Sequence, residues 1–403
     1  MKQLFSAILV ILILSSSILA QKKDIGIIKE GGNAFWDNIE SSLDSFNEKK
    51  KAEKKIFEID LSNFKIPGSV DEFKSGWHNE PVSQGATNTC WSYSTTSFFE
   101  SEIFRIHGKK IKLSSLWTAY WEFLEKTEEY VNTRGESYFA EGSEANAVTR
   151  IWNKYGVVPE EAYSGVLPDQ PFPDHRAMFA EMELYLGTVK ATGAWNMKSV
   201  LGTITCMMNK YMGTPPSEFI VDGVTYTPKT YLDKVVNLKL DDYVDVVNYL
   251  QQPLWEQVEY EVPDNWWHSK DYHNVPLANF MKIIKNAVRK GYTISIGGDV
   301  SESGKVGDMD VCVIPSYDIP SQYIDDYAKQ FRFSNETTTD DHGVHLVGYK
   351  EIDGVDWYLI KDSGSSARNG KHKGYYFFHE DYVKLKMMDI MVHKDVAEEF
   401  LSK

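Results

Sequence analysis

Cys90 is a candidate nucleophile. It is followed by Trp91 and stands where a helical pattern of apolar residues begins. The free N–H groups at the start of a helix favour a thiolate, which is the nucleophilic form of cysteine. The corresponding chemistry is attack on a carbonyl carbon to form an acyl-enzyme. Taken alone, however, the pattern fits a buried and inert cysteine better. Other residues must therefore distinguish a reactive Cys90 from an inert one.

Three segments set this cysteine in a wider pattern. They are residues 81–94, with Gln84 six positions before Cys90, residues 340–349, with Asp341 before His342, and residues 357–364, with Lys361-Asp362-Ser363-Gly364. They resemble the papain-like cysteine peptidases, in which Gln, Gly and Cys-Trp stand at these spacings. In that clan an Asp-His turn enters a strand, and a Lys/Glu-Asn-Ser-Trp-Gly run follows one hairpin later.

The resemblance implies a role for four residues. Cys90 would be the nucleophile, His342 its base, and Asp362 the group that orients the imidazole. The side-chain amide of Gln84 and the backbone N–H of Cys90 would form an oxyanion hole. The alternative for Gln84 is an ordinary glutamine in a turn, and its spacing to Cys90 favours the oxyanion role.

Two positions depart from the papain pattern. Asp362 stands where the orienting Asn is expected, and Gly364 replaces the Trp that should follow Ser363. An Asp can accept the ring N–H as an Asn does, and its charge should raise the pKa of His342. Loss of the Trp is expected to leave this hydrogen bond more open to water. These changes keep a second interpretation open, a papain-like peptide-binding module with weak or no turnover.

His345 has a plainer interpretation than His342. It falls three positions into the predicted strand, where a histidine packed on or beside the sheet is favoured. The histidines are scattered, and none has the His/Cys spacing of a zinc site. We therefore expect neither a metal nor an organic cofactor.

A closer resemblance runs from about residue 75 to residue 395. It is to bleomycin hydrolase and aminopeptidase C relatives, and further segments carry it at 99–102, 155–163, 274–277, 299–302 and 390–395. It implies an aminopeptidase or oligopeptidase that hydrolyses peptide bonds. In the aminopeptidases of this type a C-terminal arm enters the cleft, whereas this sequence stops at Lys403. Endopeptidase action therefore stays open, and a homo-oligomer is compatible with the sequence without following from it.

The elements that must position these residues can be predicted from local patterns. A helix should start near Cys90 and end at Gly108, since Phe98, Phe99, Ile103 and Phe104 share one broad face. Five β-prone runs follow later, at 292–296, 344–351, 356–360, 374–378 and 387–392. Asp353-Gly354 is a strong hairpin signal. Helices followed by antiparallel strands predict an α+β fold with two lobes, long insertions and a cleft between the lobes.

Composition restricts the class of partner. The chain has 403 residues, of which 42% are hydrophobic and 25% charged, as in a globular protein. Its formal net charge of −15 would repel a phosphate backbone, and no Lys/Arg cluster is interleaved with aromatic residues. We expect a peptide or protein substrate and no nucleic acid.

Cysteines are few. Besides Cys90 there are Cys206 and Cys312, an odd and sparse set that excludes a scaffold built on disulfides. We expect these two to be buried free thiols, while a disulfide between them stays open.

The N-terminus has the three-part pattern of a cleavable signal peptide. Lys2 precedes an apolar run from Leu4 to Leu14, and Ala20 offers a cleavage position. An uncleaved membrane anchor is the alternative, but the run is short for a span of about 20 residues. The sequence thus predicts export to the periplasm or the extracellular space, with no stable membrane span after cleavage.

These observations divide the chain into five parts. They are a signal peptide at 1–20, a charged arm or pro-like segment at 21–66, a helical lobe with insertions at about 67–285, a β lobe at about 286–397, and a tail at 398–403.

Overall fold

The computed structural model describes residues 24–43, 54–301 and 304–403. Its helices are Ala34–Leu43 (α1), Cys90–His107 (α2), Ser115–Asn132 (α3), Ala145–Tyr155 (α4), Arg176–Thr192 (α5), Met197–Met212 (α6), Pro228–Tyr231 (α7), Leu277–Arg289 (α8), Asp326–Ser334 (α9) and Glu380–Lys386 (α10). None of the helices in these ranges is long and apolar enough to cross a membrane. The predicted signal peptide at 1–20 lies outside the described residues.

The described residues also form fifteen strands. They are Gly26–Gly31 (β1), Lys54–Ile59 (β2), Lys74–Ser75 (β3), Phe219–Val221 (β4), Val224–Tyr226 (β5), Tyr243–Val247 (β6), Glu256–Val258 (β7), Tyr272–Asn274 (β8), Ile294–Gly298 (β9), Lys305–Val306 (β10), Val311–Cys312 (β11), His342–Ile352 (β12), Val355–Lys361 (β13), Tyr375–His379 (β14) and Met387–His393 (β15). Eleven of them form one sheet in the order β10-β11-β14-β13-β12-β9-β15-β6-β8-β7, with β3 paired to β12. Most pairs are antiparallel, which gives the α+β architecture that the sequence predicts.

The helical lobe is built around α2. Phe98, Phe99 and Ile103 are fully buried in its core, together with aromatic residues of α3 and α4. Gly108 ends α2 with φ 66°, a left-handed conformation that glycine adopts without steric cost. Helix α2 packs directly against β12, so the helix that begins at Cys90 and the strand that begins at His342 are in contact.

The sheet lobe contains the five predicted strands. The turn between β12 and β13 has positive φ at Asp353 (52°) and Gly354 (83°), as a two-residue hairpin requires. Strand β9 lies two residues further along than predicted, at Ile294–Gly298, because it pairs with both β12 and β15 up to Gly298. The apolar core of this lobe lies between the sheet and the helices α8 and α10.

The sheet lobe begins earlier in the chain than residue 286. Strand β6 pairs antiparallel with β15, and β8 pairs with β6. Val246, Val275 and Leu277 are buried in the same core as the later strands. Residues 243–289 therefore add three strands and a helix to this lobe. Their short and isolated β-prone runs gave no sign of this at the sequence level.

The N-terminal arm contains strands as well as a helix. Strands β1 and β2 pair antiparallel over six residues each, and α1 lies between them in sequence. The arm is fixed to the rest of the chain by the Nδ2 of Asn33, which donates to Ser365 Oγ (3.0 Å), and by the backbone N–H of Phe35, which donates to Asn369 Oδ1 (3.1 Å). It thus lies against the loop that follows β13.

Candidate active site

Cys90 is the first residue of α2 and is partly exposed. Its backbone N–H lies in the first turn, where a helix offers no internal acceptor. The close approach of β12 depends on Gly343, because a Cβ there would lie 3.0 Å from Ser94 Oγ and 3.2 Å from Trp91 Cα. This contact brings His342 within hydrogen-bonding reach of the Cys90 side chain.

His342 and Asp362 are joined across two neighbouring strands. His342 begins β12, Asp362 follows the last residue of β13, and the distance between His342 Nε2 and Asp362 Oδ1 is 2.7 Å. The backbone N–H of Gly364 donates to the same carboxylate oxygen (2.6 Å). Because Nε2 is bound to Asp362, Nδ1 is the ring nitrogen that is left to interact with Cys90. The structure thus brings the three predicted residues into one hydrogen-bonded chain.

The charges of these groups are coupled. Burial disfavours the imidazolium of His342, but the negative charges of Asp362 and Cys90 outweigh burial and raise its pKa to about 10. Burial also opposes ionisation of Asp362, yet His342 and the Gly364 N–H hold the pKa of that carboxyl well below its usual range. At neutral pH the two side chains therefore form an imidazolium–carboxylate pair, in the direction expected from the Asn-to-Asp departure.

The expectation that this hydrogen bond is open to water is wrong. The side chains of His342 and Asp362 are 11% and 1% exposed. Gly364 covers the pair with its backbone, since a Cβ at this position would lie 3.1 Å from Asp362 Oδ1 and 3.4 Å from His342 Nε2. Arg368 fixes the loop by donating from Nη1 to the carbonyls of Asp362 (3.2 Å) and Gly364 (2.7 Å). The backbone of Gly364 and Arg368 thus exclude water from the His342–Asp362 hydrogen bond, although the Trp of the papain pattern is absent.

Gln84 is buried beside these residues and held at both ends of its amide. Its Oε1 accepts from Ser363 Oγ (2.7 Å), and its Nε2 donates to the Thr87 carbonyl (2.7 Å). The amide nitrogen carries two hydrogens, of which Thr87 takes one. Gln84 and His342 line the same cavity of about 560 Å³, together with Gly364 and Trp36. Ser363 and Thr87 thus fix the Gln84 amide, next to His342, in the orientation that an oxyanion donor needs.

His345 is a packed histidine, as predicted. It is fully buried, and its Nδ1 lies 2.8 Å from Ser97 Oγ, which also accepts from Lys361 Nζ (2.8 Å). Burial and the nearby cations lower its pKa well below the usual range, so the ring is neutral. It does not take part in the chain formed by His342.

All three cysteines are free thiols. Cys312 is fully buried, as expected, and burial raises the pKa of its thiol. The expectation of burial is wrong for Cys206, which is exposed on α6. Its helix buries the opposite face, through Val200, Ile204 and Met208.

Several residues of the site carry no recognisable signal in the sequence. Trp36 reaches the large cavity from the N-terminal arm, and Arg368 holds the Asp362 loop in place. Buried carboxyls also line a second, smaller cavity beside Cys90. These side chains come from segments far apart in the chain, and only the fold brings them together.

Comparison with known proteins agrees with this architecture, although no family model matches the chain. The chain is 22% identical to aminopeptidase C of Streptococcus thermophilus over 384 residues, which cover 80% of this chain and 82% of that protein. It is 23% identical to aminopeptidase G of Lactobacillus delbrueckii subsp. lactis over 358 residues, covering 78% and 80%. The crystal structure of PepW from Lactobacillus rhamnosis superposes with a TM-score of 0.66 at 16% identity, covering 81% and 82%.

The fold, the site and these homologues define the class. The chain is a cysteine peptidase of papain-like fold, and over about four fifths of its length it is similar to aminopeptidase C proteins of the bleomycin hydrolase type. The resemblance inferred from the sequence segments is thereby confirmed.

Proposed function

We propose that Cys90, His342 and Asp362 are the catalytic residues of this peptidase, and that it acts as an aminopeptidase or oligopeptidase. The observation that carries the assignment is the hydrogen-bonded chain from Asp362 through His342 to Cys90. Nucleophile, base and orienting group stand in the order that thiol peptidase chemistry requires.

The mechanism starts from a thiolate at Cys90 paired with the imidazolium of His342. The sulfur attacks the peptide carbonyl carbon, and the oxyanion that forms accepts from Gln84 Nε2 and the Cys90 N–H. His342 then donates its proton to the leaving amine, the C–N bond breaks, and an acyl-enzyme remains. Neutral His342 next removes a proton from water, which attacks the thioester and releases the carboxylic acid and the thiolate.

Asp362 gives this site a feature that an Asn would not. Its negative charge stabilises the imidazolium, so the ion pair should persist to more alkaline pH than with a neutral amide. The peptide-binding module without turnover is less well supported. Such a module gains nothing from a buried carboxylate and imidazolium aligned on a cysteine.

Hydrolysis of peptides and aminoacyl amides by the purified chain tests this proposal. Cys90→Ala should lower kcat by at least about 1,000-fold, since loss of a nucleophile removes the covalent route. Cys206→Ala is the matched control, because this thiol is exposed and lies on α6 outside the site. Equal turnover in both variants would contradict the assignment.

We propose in addition that the N-terminal arm is a pro-like segment. Helix α1 places Trp36 in the wall of the large cavity that His342 and Gln84 also line. Phe35 packs edge-on against Phe172 (5.9 Å between ring centroids) and lies 5.3 Å from the Arg368 guanidinium. The arm therefore covers one side of the site.

The signal pattern at residues 1–20 supports export of the chain to the periplasm or the extracellular space. Mass spectrometry of the mature N-terminus after expression with the native leader tests this. A new terminus near Gln21 is expected, and an intact Met1 in the soluble cell fraction would contradict it.

A further inference from the structure

A small cavity beside the reactive thiol is lined by an unusual number of carboxyl groups. Cys90 and His342 form one wall, and the carboxyls are those of Glu144, Asp264, Asp340, Asp341 and Asp389. They come from the start of α4, from the loop before β8, from the turn before β12 and from β15. The cavity measures about 30 Å³.

Two of these carboxyls have an oxygen with no hydrogen-bond partner. Glu144 Oε1 and Asp389 Oδ1 are both buried and unpaired, in residues that are 4% and 3% exposed. Ligand atoms of Glu144, Asp340 and Asp389 lie within 4.8 Å of one another. Buried carboxyl oxygens normally find donors, so two unpaired ones facing one cavity indicate that a donor is to be bound there.

Neither of the two buried lysines nearby, Lys126 and Lys329, donates a hydrogen bond to this cluster. Among the described residues that line the cavity there is no Lys or Arg. Lys126 is buried nearby, but its Nζ donates to the carbonyls of Ala140 (2.9 Å) and Gly142. Lys329 Nζ lies 4.6 Å from the centre of the Phe280 ring and makes no hydrogen bond. The unpaired oxygens of Glu144 and Asp389 are thus left for a ligand to bind.

The acid–base state of the cluster agrees with an empty cation site. Burial and the nearby carboxyls raise the pKa of Glu144 and Asp340 well above the usual range, and they raise the pKa of Asp389 to about 7. Without a cation these groups hold protons. A cation in the cavity would favour their ionised forms, as any nearby positive charge does.

Size and position select the kind of cation. The cavity of about 30 Å³ has room for a small group such as a primary ammonium, since one water molecule needs about 10–15 Å³ on the same measure. It shares Cys90 and His342 with the reaction centre, and we assign it to the part of the substrate that becomes attached to sulfur. That part of a peptide carries an α-ammonium when it is the N-terminal residue.

We propose that Glu144, Asp340 and Asp389 bind an ammonium group of the substrate. This proposal rests on the peptidase function, because it places the ammonium on the acyl side of the scissile bond. The ammonium has two sources, the free amino terminus of a peptide or a lysine side chain. The first makes the enzyme an aminopeptidase, and the second makes it select lysine near the cleaved bond.

Three fluorogenic amides distinguish these sources. They are alanyl amide with a free amino group, acetyl-alanyl amide without a cation, and acetyl-lysyl-alanyl amide with only the side-chain ammonium. We expect one of the two cationic substrates to exceed acetyl-alanyl amide by about 30-fold or more in kcat/KM, as buried charge pairs do. Preference for the first identifies the α-ammonium, and preference for the third identifies lysine.

The role of the carboxyls is tested by substitutions that remove their charge and keep their shape. In the double variant Glu144→Gln, Asp389→Asn the preference should fall at least about tenfold, mainly through KM. Asp245→Asn is the matched control, since Asp245 is also buried with an unpaired Oδ1 but does not line the cavity. It should retain the preference. Equal rates on all three amides, or a preference that the double variant keeps, would overturn the proposal.

Calorimetric titration with alaninamide separates this proposal from the peptidase function, because binding requires no turnover. The full chain should bind alaninamide, and the double variant should bind it at least about tenfold more weakly. Binding without hydrolysis of any amide would refute the function and retain the ammonium site. Hydrolysis of the amides without binding of alaninamide would support the peptidase function and refute the ammonium site. Tight binding of Ca²⁺ that alaninamide does not displace would make the cluster a metal site and overturn the proposal.

Discussion

At the scale of single residues, the most informative feature is the carboxylate at position 362. The distance of 2.7 Å to His342 Nε2 and the very low exposure of both side chains make this a buried ion pair. The sequence predicts the pair through the order of its segments. The sequence does not predict that the pair is buried, because Arg368 and the backbone of Gly364 approach the pair only in the folded loop.

Asp362→Asn should shift the alkaline limit of activity. The pKa of His342 is raised to about 10, so the imidazolium that protonates the leaving amine is present below that pH and is lost as pH rises through it. Removing the negative charge of Asp362 should move this limit down by about one pH unit or more, the usual effect of an opposite charge at this distance. The pH profile of kcat/KM measures it. An unchanged alkaline limb would mean that Asp362 does not set the His342 pKa.

At the scale of elements, the catalytic geometry depends on how closely β12 packs on α2. Helix α2, its glycine end and the five later strands follow from apolar periodicity and turn signals, so the sequence predicts them within a few residues. The pairing of β6 with β15 and the acidic cavity do not follow from it. Both join segments more than a hundred residues apart, and local patterns carry no record of such contacts.

Gly343→Ala should separate the nucleophile from the base. The added Cβ would meet Ser94 Oγ and the Trp91 backbone at about van der Waals contact or closer, so strand and helix must move apart. We expect kcat to fall by about 10- to 100-fold, since a shift of about 1 Å in a catalytic group has this effect.

Gly187→Ala is the control for this substitution. Gly187 lies in α5, and an added Cβ there meets no atom within 4 Å. Its kcat should stay at the wild-type value, and its thermal stability should hold or rise slightly. Wild-type kcat in Gly343→Ala, measured under the same conditions, would show that the helix–strand distance is not limiting.

At the scale of the whole molecule, segments from both ends of the chain border the cleft or the lobes that form it. The N-terminal arm reaches the large cavity through Trp36. The C-terminal residues instead pack on α8, where Asn279 and Asn286 donate to the carbonyls of Phe400 (2.9 Å) and Val396 (2.8 Å). The sequence predicts a charged arm but not its position, because its contacts with residues 365 and 369 are more than 300 residues distant.

Trp36→Ala should increase peptidase activity. Removing the indole from the cavity wall opens the site, so kcat/KM for longer peptides should rise by about three- to tenfold while the pH profile stays the same. Asp37→Ala is the matched control, as Asp37 is the next residue of α1 and is exposed. Unchanged activity toward both short and long peptides in Trp36→Ala would show that the arm does not restrict access.

The most direct test of the central claim is the pH dependence of iodoacetamide alkylation at Cys90, resolved by peptide mass spectrometry. Cys206 is an exposed thiol in the same chain and serves as the internal reference. An ordinary cysteine titrates near pH 8.5. We expect fast alkylation of Cys90 at mildly acidic pH that disappears in His342→Ala. An ordinary titration curve at Cys90 that is the same in His342→Ala would contradict it.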